Sequence, residues 1–168
     1  DNSYYEFEVP NSAGTLAIYL NRITYEVTLD ANTTDSISNV AGWNFTQSED
    51  GQTATNTYKY GAGVVLPTPV RLGYNFLGWK YISETYPGGS TYIVSSSDVK
   101  LTATWEIKSF PVTVNIAAAE GTILNFDEIG FSLMYGDIEI LKSSGTGTTF
   151  TTAISYDFNT ELTLNVTN

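Results

Sequence analysis

The chain has 168 residues, 18 acidic against 7 basic side chains and a net charge of −11, with no cysteine and no histidine. That balance repels phosphate backbones and anionic lipid, so nucleic-acid binding and lipid association are disfavoured. Without cysteine there is no disulfide framework, thiolate zinc site or cysteine nucleophile, and without histidine the commonest general base and metal ligand are missing. Acidity of this degree is accounted for by solubility. No run of about 18 apolar residues is present to span a membrane, and the start Asp1-Asn2-Ser3-Tyr4-Tyr5 has no charged-then-apolar signal. The expectation is a mature or excised fragment.

Residues 1–22 contain two strand-like pieces. Tyr5, Phe7 and Val9 alternate with Glu6 and Glu8, a turn follows at Asn11-Ser12-Ala13-Gly14, and Leu16, Ile18 and Leu20 alternate again. Two strands do not stand alone, so this piece is expected to be the closing pair of a truncated preceding module. From Ile23 a cleaner unit begins, in which Tyr25, Val27 and Leu29 alternate with Glu26, Thr28 and Asp30, a half-buried strand at period two. Asp35–Val40 reads as one short helical turn capped by Asp35. Trp43 and Phe45 alternate with polar neighbours. Ser48-Glu49-Asp50-Gly51 carries a hairpin signal, and the return strand is expected from about Gln52 to Tyr60, before Gly61-Ala62-Gly63.

The stretch Arg71–Trp79 organises this unit. Leu66-Pro67-Thr68-Pro69 leads into it, and the prolines impose extended geometry. Gly73 and Gly78 permit turns, bulges or close backbone approach. Alternation puts Tyr74 and Phe76 on one face and Leu77 and Trp79 on the other. A loop follows at Tyr86-Pro87-Gly88-Gly89, and then a regular period-two strand in which Val99, Leu101, Ala103 and Trp105 alternate with polar residues.

Residues 107–168 read as a further β module. Phe110, Val112, Val114 and Ile116 alternate, strands are expected near 122–126, 129–135 and 137–142, and Leu162, Leu164 and Val166 close the chain. A Tyr-x-Phe, turn, alternating-apolar pattern recurs at residues 5–21 and 156–166, with a related shape at 92–105. Together these describe beads on a string with short, semi-rigid joints. The expected class is all-β to α+β, in tandem small, mainly antiparallel modules.

Three blocks occur in order within residues 23–106: Tyr25-Glu26-Val27-Thr28-Leu29-Asp30-Ala31-Asn32; Tyr60-Gly61 with Leu66 through Trp79, including Pro67, Pro69, Arg71, Gly73, Tyr74, Phe76 and Gly78; and Asp98-Val99, Leu101, Ala103, Trp105. This half of the chain resembles the internalin-B-type B repeat, or Listeria–Bacteroides repeat. It departs from the family pattern at Leu29, where an aromatic is usual, and in the length of residues 33–57. The resemblance implies a β-grasp-like central module in a tandem array on an exported bacterial surface protein, acting as a stalk or adhesion module. Its partner would be a host or bacterial surface protein or a glycan. Residues 107–168 lack the signature and read as a degenerate repeat or a different β-domain.

Aromatic side chains invite a sugar- or protein-binding alternative. Trp79 and Trp105 lie in period-two strands and are assigned to the core, which a small domain must fill with large side chains. Trp43, in the insertion, and Tyr81, Tyr86 and Tyr92, near Gly88-Gly89, are the candidate ligand contacts, with edge-covering as their bland alternative. Arg71 suits a stack on Tyr74 or Trp79 or a bridge to Asp98. Glu49-Asp50-Gly51 and Asp127-Glu128 fall short of a calcium loop, and no nucleophile elbow or phosphate loop is present. Asn32 and Asn44 head chance glycosylation sequons, and Lys59, Lys80, Lys100, Lys108 and Lys142 show no positive sign of an isopeptide crosslink. No cofactor and no catalytic residue is expected. Free sheet edges suggest a weak homodimer.

Overall fold

A computed structural model describes residues 23–167 except 119, 122, 124 and 126–128. The strand pair expected in residues 1–22 and the Asp127-Glu128 pair lie outside the described residues, as does most of the strand expected near 122–126. The described residues are all-β, and no helix among them is long and apolar enough to cross a membrane.

The strands are β1 (Thr24–Asp30), β2 (Ile37–Ser38), β3 (Thr46–Ser48), β4 (Gly51–Lys59), β5 (Gly63–Val65), β6 (Val70–Arg71), β7 (Tyr74–Tyr81), β8 (Glu84–Tyr86), β9 (Thr91–Ile93) and β10 (Val99–Ile107). They continue as β11 (Ser109–Asn115), β12 (Gly130–Tyr135), β13 (Ile138–Lys142), β14 (Thr149–Asp157) and β15 (Thr163–Thr167). A six-stranded sheet runs β3-β4-β1-β10-β7-β8. Its central pair, β1 and β10, is parallel, with Val27 opposite Val99 and Leu29 opposite Leu101. Antiparallel β4 and β7 flank that pair. The short ladders β2–β6 and β5–β9 complete this part, and β11–β14 and β13-β12-β15 form separate sheets.

The main core follows from the period-two pattern. Val27, Leu29, Leu66, Trp79, Leu101 and Ala103 are fully buried in one cluster that also takes in Val64, Val94 and Val99. The indoles of Trp79 and Trp105 satisfy their N–H groups on backbone carbonyls, as donors withdrawn from water must. Trp79 Nε1 donates to Pro67 O and Trp105 Nε1 to Ala31 O, each at 2.8 Å. The Asp30-Ala31-Asn32 turn is built for that second bond: Asn32 adopts φ +50, and its backbone N–H donates to Asp30 Oδ1 at 2.8 Å.

The central stretch departs from simple alternation. Trp105 pairs with Phe76 and Thr104 with Gly78, which leaves Leu77 as the extra residue of a β-bulge. The bulge changes the phase of the strand. Phe76 and Trp79 therefore meet on one side, their centroids 5.4 Å apart, while Leu77 is 54% exposed instead of sharing a buried face with Trp79. Gly78 makes this arrangement feasible, because its φ is +144 and a Cβ there would lie 2.6 Å from Thr85 Cγ2.

Residues 33–57 also differ from expectation. Asp35–Val40 forms no helical turn; Ile37–Ser38 pairs with Val70–Arg71 as a short ladder. Side-chain bonds override the cap signal. Asp35 binds Arg71 through Nη2 at 2.7 Å and Nε at 2.8 Å, and the Gln52 side-chain amide donates to Asp35 O. Residues 43–45 are not a strand. Trp43 turns inward and is 6% exposed, its ring 6.3 Å from that of Tyr58.

In the third region β14 was not legible from the sequence, because its threonine-rich stretch blurs the apolar period. Its ladder with β11 shifts register between Pro111 and Thr113. Pro111 has no N–H to contribute, and buried Thr152 bridges the irregularity by accepting from Val112 N at 3.0 Å and donating to Ile154 O at 2.7 Å. Beyond Ala103, the buried side chains among the described residues are Phe131, Leu133 and Thr152, so this core is thin.

Candidate functional site

Two places gather side chains in ways that packing of a single sheet does not require. The first is a joint. Lys108, between β10 and β11, donates its backbone N–H to Gly73 O at 2.9 Å, and Phe158 N donates to Lys108 O at 2.8 Å. The Phe158 ring lies edge-on to Tyr74, with centroids 6.4 Å apart, and covers Gly73, whose φ is +77. Glycine is needed there both for its left-handed backbone and for the space its missing side chain leaves. Arg71 stacks on the same Tyr74 ring, its guanidinium carbon 3.5 Å from the centroid. The sequence-predicted stack on Tyr74 is present, a longer approach of 5.8 Å is made to Trp105 rather than Trp79, and the ion-pair partner is Asp35, not Asp98. Asp98 instead accepts from Glu26 N at 2.8 Å. Thus Asp35, Arg71, Tyr74 and Phe158 form a chain of contacts from the insertion through the central stretch to the turn after β14.

The second place is a shallow cleft of about 320 Å³ between the β7–β8 hairpin and β9, lined by Tyr81, Ile82, Ser83, Glu84, Tyr86, Tyr92, Ile93 and Ser95. Three of the sequence-predicted contact residues, Tyr81, Tyr86 and Tyr92, meet here. Trp43 does not: it is buried elsewhere in the core, so it is withdrawn as a surface contact. Tyr92 is also corrected, since at 5% exposure it forms part of the floor and packs edge-on to Tyr86 at 5.5 Å. It is drawn in because β9 pairs with β5, Val64 opposite Tyr92. The Tyr86 hydroxyl donates to Glu84 Oε2 at 2.5 Å. That bond, with burial and the carboxylate charge behind it, pushes the phenol up to about 12, because ionisation would place two anions side by side. Glu84, Ile82 and Ile93 are site residues that the sequence reading missed. Their signal was absent because the two-residue Ile82-Ser83 turn has no glycine or asparagine to mark a hairpin.

The remaining signature residues serve the frame. Val27, Pro69, Trp79 and Leu101 are fully buried, Tyr25 and Phe76 pack against the core, and Tyr60 stays largely exposed beside Gly61 at φ +75. No group of three or more acidic side chains suited to a metal ion occurs among the described residues. No protein-family model matches the chain, and no curated protein or solved structure matches it at a significant level.

Proposed function

We propose that the chain is a non-catalytic segment of a bacterial surface protein in which a β-grasp-like B-repeat module, residues 23–106, is held against the following β module as a stalk or adhesion unit. The observation that carries this reading is the joint, where Phe158 caps Gly73 and Lys108 is hydrogen-bonded to both sides. A spacer must resist bending where its modules meet, and a side chain seated over a glycine does so more effectively than a flexible linker. The β-grasp-like assignment is supported by the parallel β1–β10 pair flanked by antiparallel β4 and β7. Apart from the exposed Tyr60, the aromatic side chains of the signature blocks are consumed by packing, which supports a frame rather than a reaction centre.

Residual dipolar couplings on residues 23–167 test the reading. One alignment tensor shared by both parts is expected, and two independent tensors would overturn the spacer role. Adhesion to a surface protein or glycan is the second half of the proposal, tested by binding to intact cells. Weak pairing of two copies through the outer strands β3 or β8 belongs to the same proposal; sedimentation that finds only monomer at micromolar concentration would remove it.

A further inference from the structure

The tyrosine cleft has chemistry that a spacer does not need. The rings of Tyr86 and Tyr92 stand at 84° to one another, so Tyr86 forms the wall and Tyr92 the floor of a corner, with Tyr81 beside them. Aromatic faces carry negative charge density and attract cations. Glu84 adds a full negative charge, held in place by the Tyr86 hydroxyl. No lysine or arginine lines the cleft, and the whole chain is at −11. An anionic ligand is therefore repelled. Tyr92, only 5% exposed, offers no open face, so the half-buried rings of Tyr81 and Tyr86 are the ones a ligand can reach.

The rim adds a second requirement. Ile82 is 78% exposed and Ile93 59% exposed, and Ile82 holds φ +54. A β-branched residue in the left-handed region is strained, and such strain concentrates at functional positions. The strained turn places an apolar side chain at the mouth of a negatively polarised corner. A ligand that carries positive charge and presents methyl groups meets both features.

We propose that this cleft binds a methylated or quaternary ammonium group, its positively polarised methyls against the Tyr81 and Tyr86 rings, with Glu84 beside them and Ile82 and Ile93 at the rim. The inference does not rest on the spacer role, since a stalk module can carry such a site and a free-standing module can as well. The test is an NMR titration of the 168-residue chain with choline, its neutral tert-butyl analogue and an acetylated trimethyllysine amide. Saturable shifts of the Tyr81 and Tyr86 ring resonances are expected with either cation, and the tighter of the two identifies the source of the group. The neutral analogue should bind about tenfold more weakly, the ratio expected when the cation–ring attraction is lost. Glu84→Gln should weaken choline by a similar factor, whereas Lys80→Gln, outside the cleft lining, should leave it unchanged. Absence of saturable shifts, equal binding of the neutral analogue, or full binding by Glu84→Gln would each overturn the proposal, and none would bear on whether the modules share one alignment tensor.

Discussion

A Cβ placed on Gly73 would lie 2.0 Å from Phe158 Cδ1, so the aromatic ring occupies the volume that any other residue at this position would claim. The contact ties residues far apart in sequence and joins two separately paired groups of strands. It makes Gly73 a determinant of how these groups of strands meet as well as of its local turn.

Gly73→Ala should expel the Phe158 ring and strain a backbone at φ +77. The strain alone costs about 1–3 kcal/mol, and the steric conflict adds to it. Phe158→Ala should loosen the joint without the backbone penalty. Thermal unfolding should therefore show the larger loss for Gly73→Ala, while both variants should show increased independent motion by NMR relaxation.

Trp43→Ala tests whether residues 33–57 are part of the core. A surface tryptophan would be lost at little cost. One that is 6% exposed and packed near Tyr58 should cost about 3–5 kcal/mol on truncation. Urea denaturation measures this directly, and a change under about 0.5 kcal/mol, as for a surface substitution, would contradict the buried placement.

Arg71→Lys should retain charge but lose the forked geometry toward Asp35 and the flat stack on Tyr74. Asp35→Asn removes the ion pair alone. Because the Asp35 side chain is 57% exposed, its variant should cost no more than about 1 kcal/mol, and Arg71→Lys should cost more than Asp35→Asn. A double-mutant cycle separates the ion pair from the stack.

Tyr86 should ionise late in alkaline spectrophotometric titration, near 12 against an ordinary 10.0. The unfolded chain releases this proton earlier than the folded one. The linked stabilisation is therefore fully present below the unfolded value of 10.0 and is lost as pH rises from there toward about 12. Glu84→Ala removes the first cause of the shift, the hydrogen bond, together with the carboxylate charge, and should return the phenol toward its ordinary value.

Much of the central sheet was legible from alternation. Tyr25-Val27-Leu29 and Val99-Leu101-Ala103 mark β1 and β10, and turn chemistry at Asp50-Gly51 marks the β3–β4 hairpin. Alternation failed at Leu77 because a bulge adds one residue and shifts the period, and at Ile82-Ser83 because a strained turn carries no glycine or asparagine. It also failed for Trp43, since periodicity identifies the faces of a strand and is silent about a loop that folds inward. The tyrosine cleft was half visible: Tyr81, Tyr86 and Tyr92 stood out as aromatics near a glycine pair, while Glu84 looked like an ordinary surface acid.

What the sequence determined by itself was local and compositional: the strand periods, the proline lead-in, the glycine turns, and the absence of histidine and cysteine chemistry. These follow from backbone sterics and side-chain inventory, which act over a few residues. Only the tertiary structure decided that Arg71 pairs with Asp35, that Phe158 caps Gly73 and that Glu84 faces a corner of rings. Those depend on which strands lie side by side, and pairing across dozens of residues is selected by burial of the whole core rather than by any local pattern.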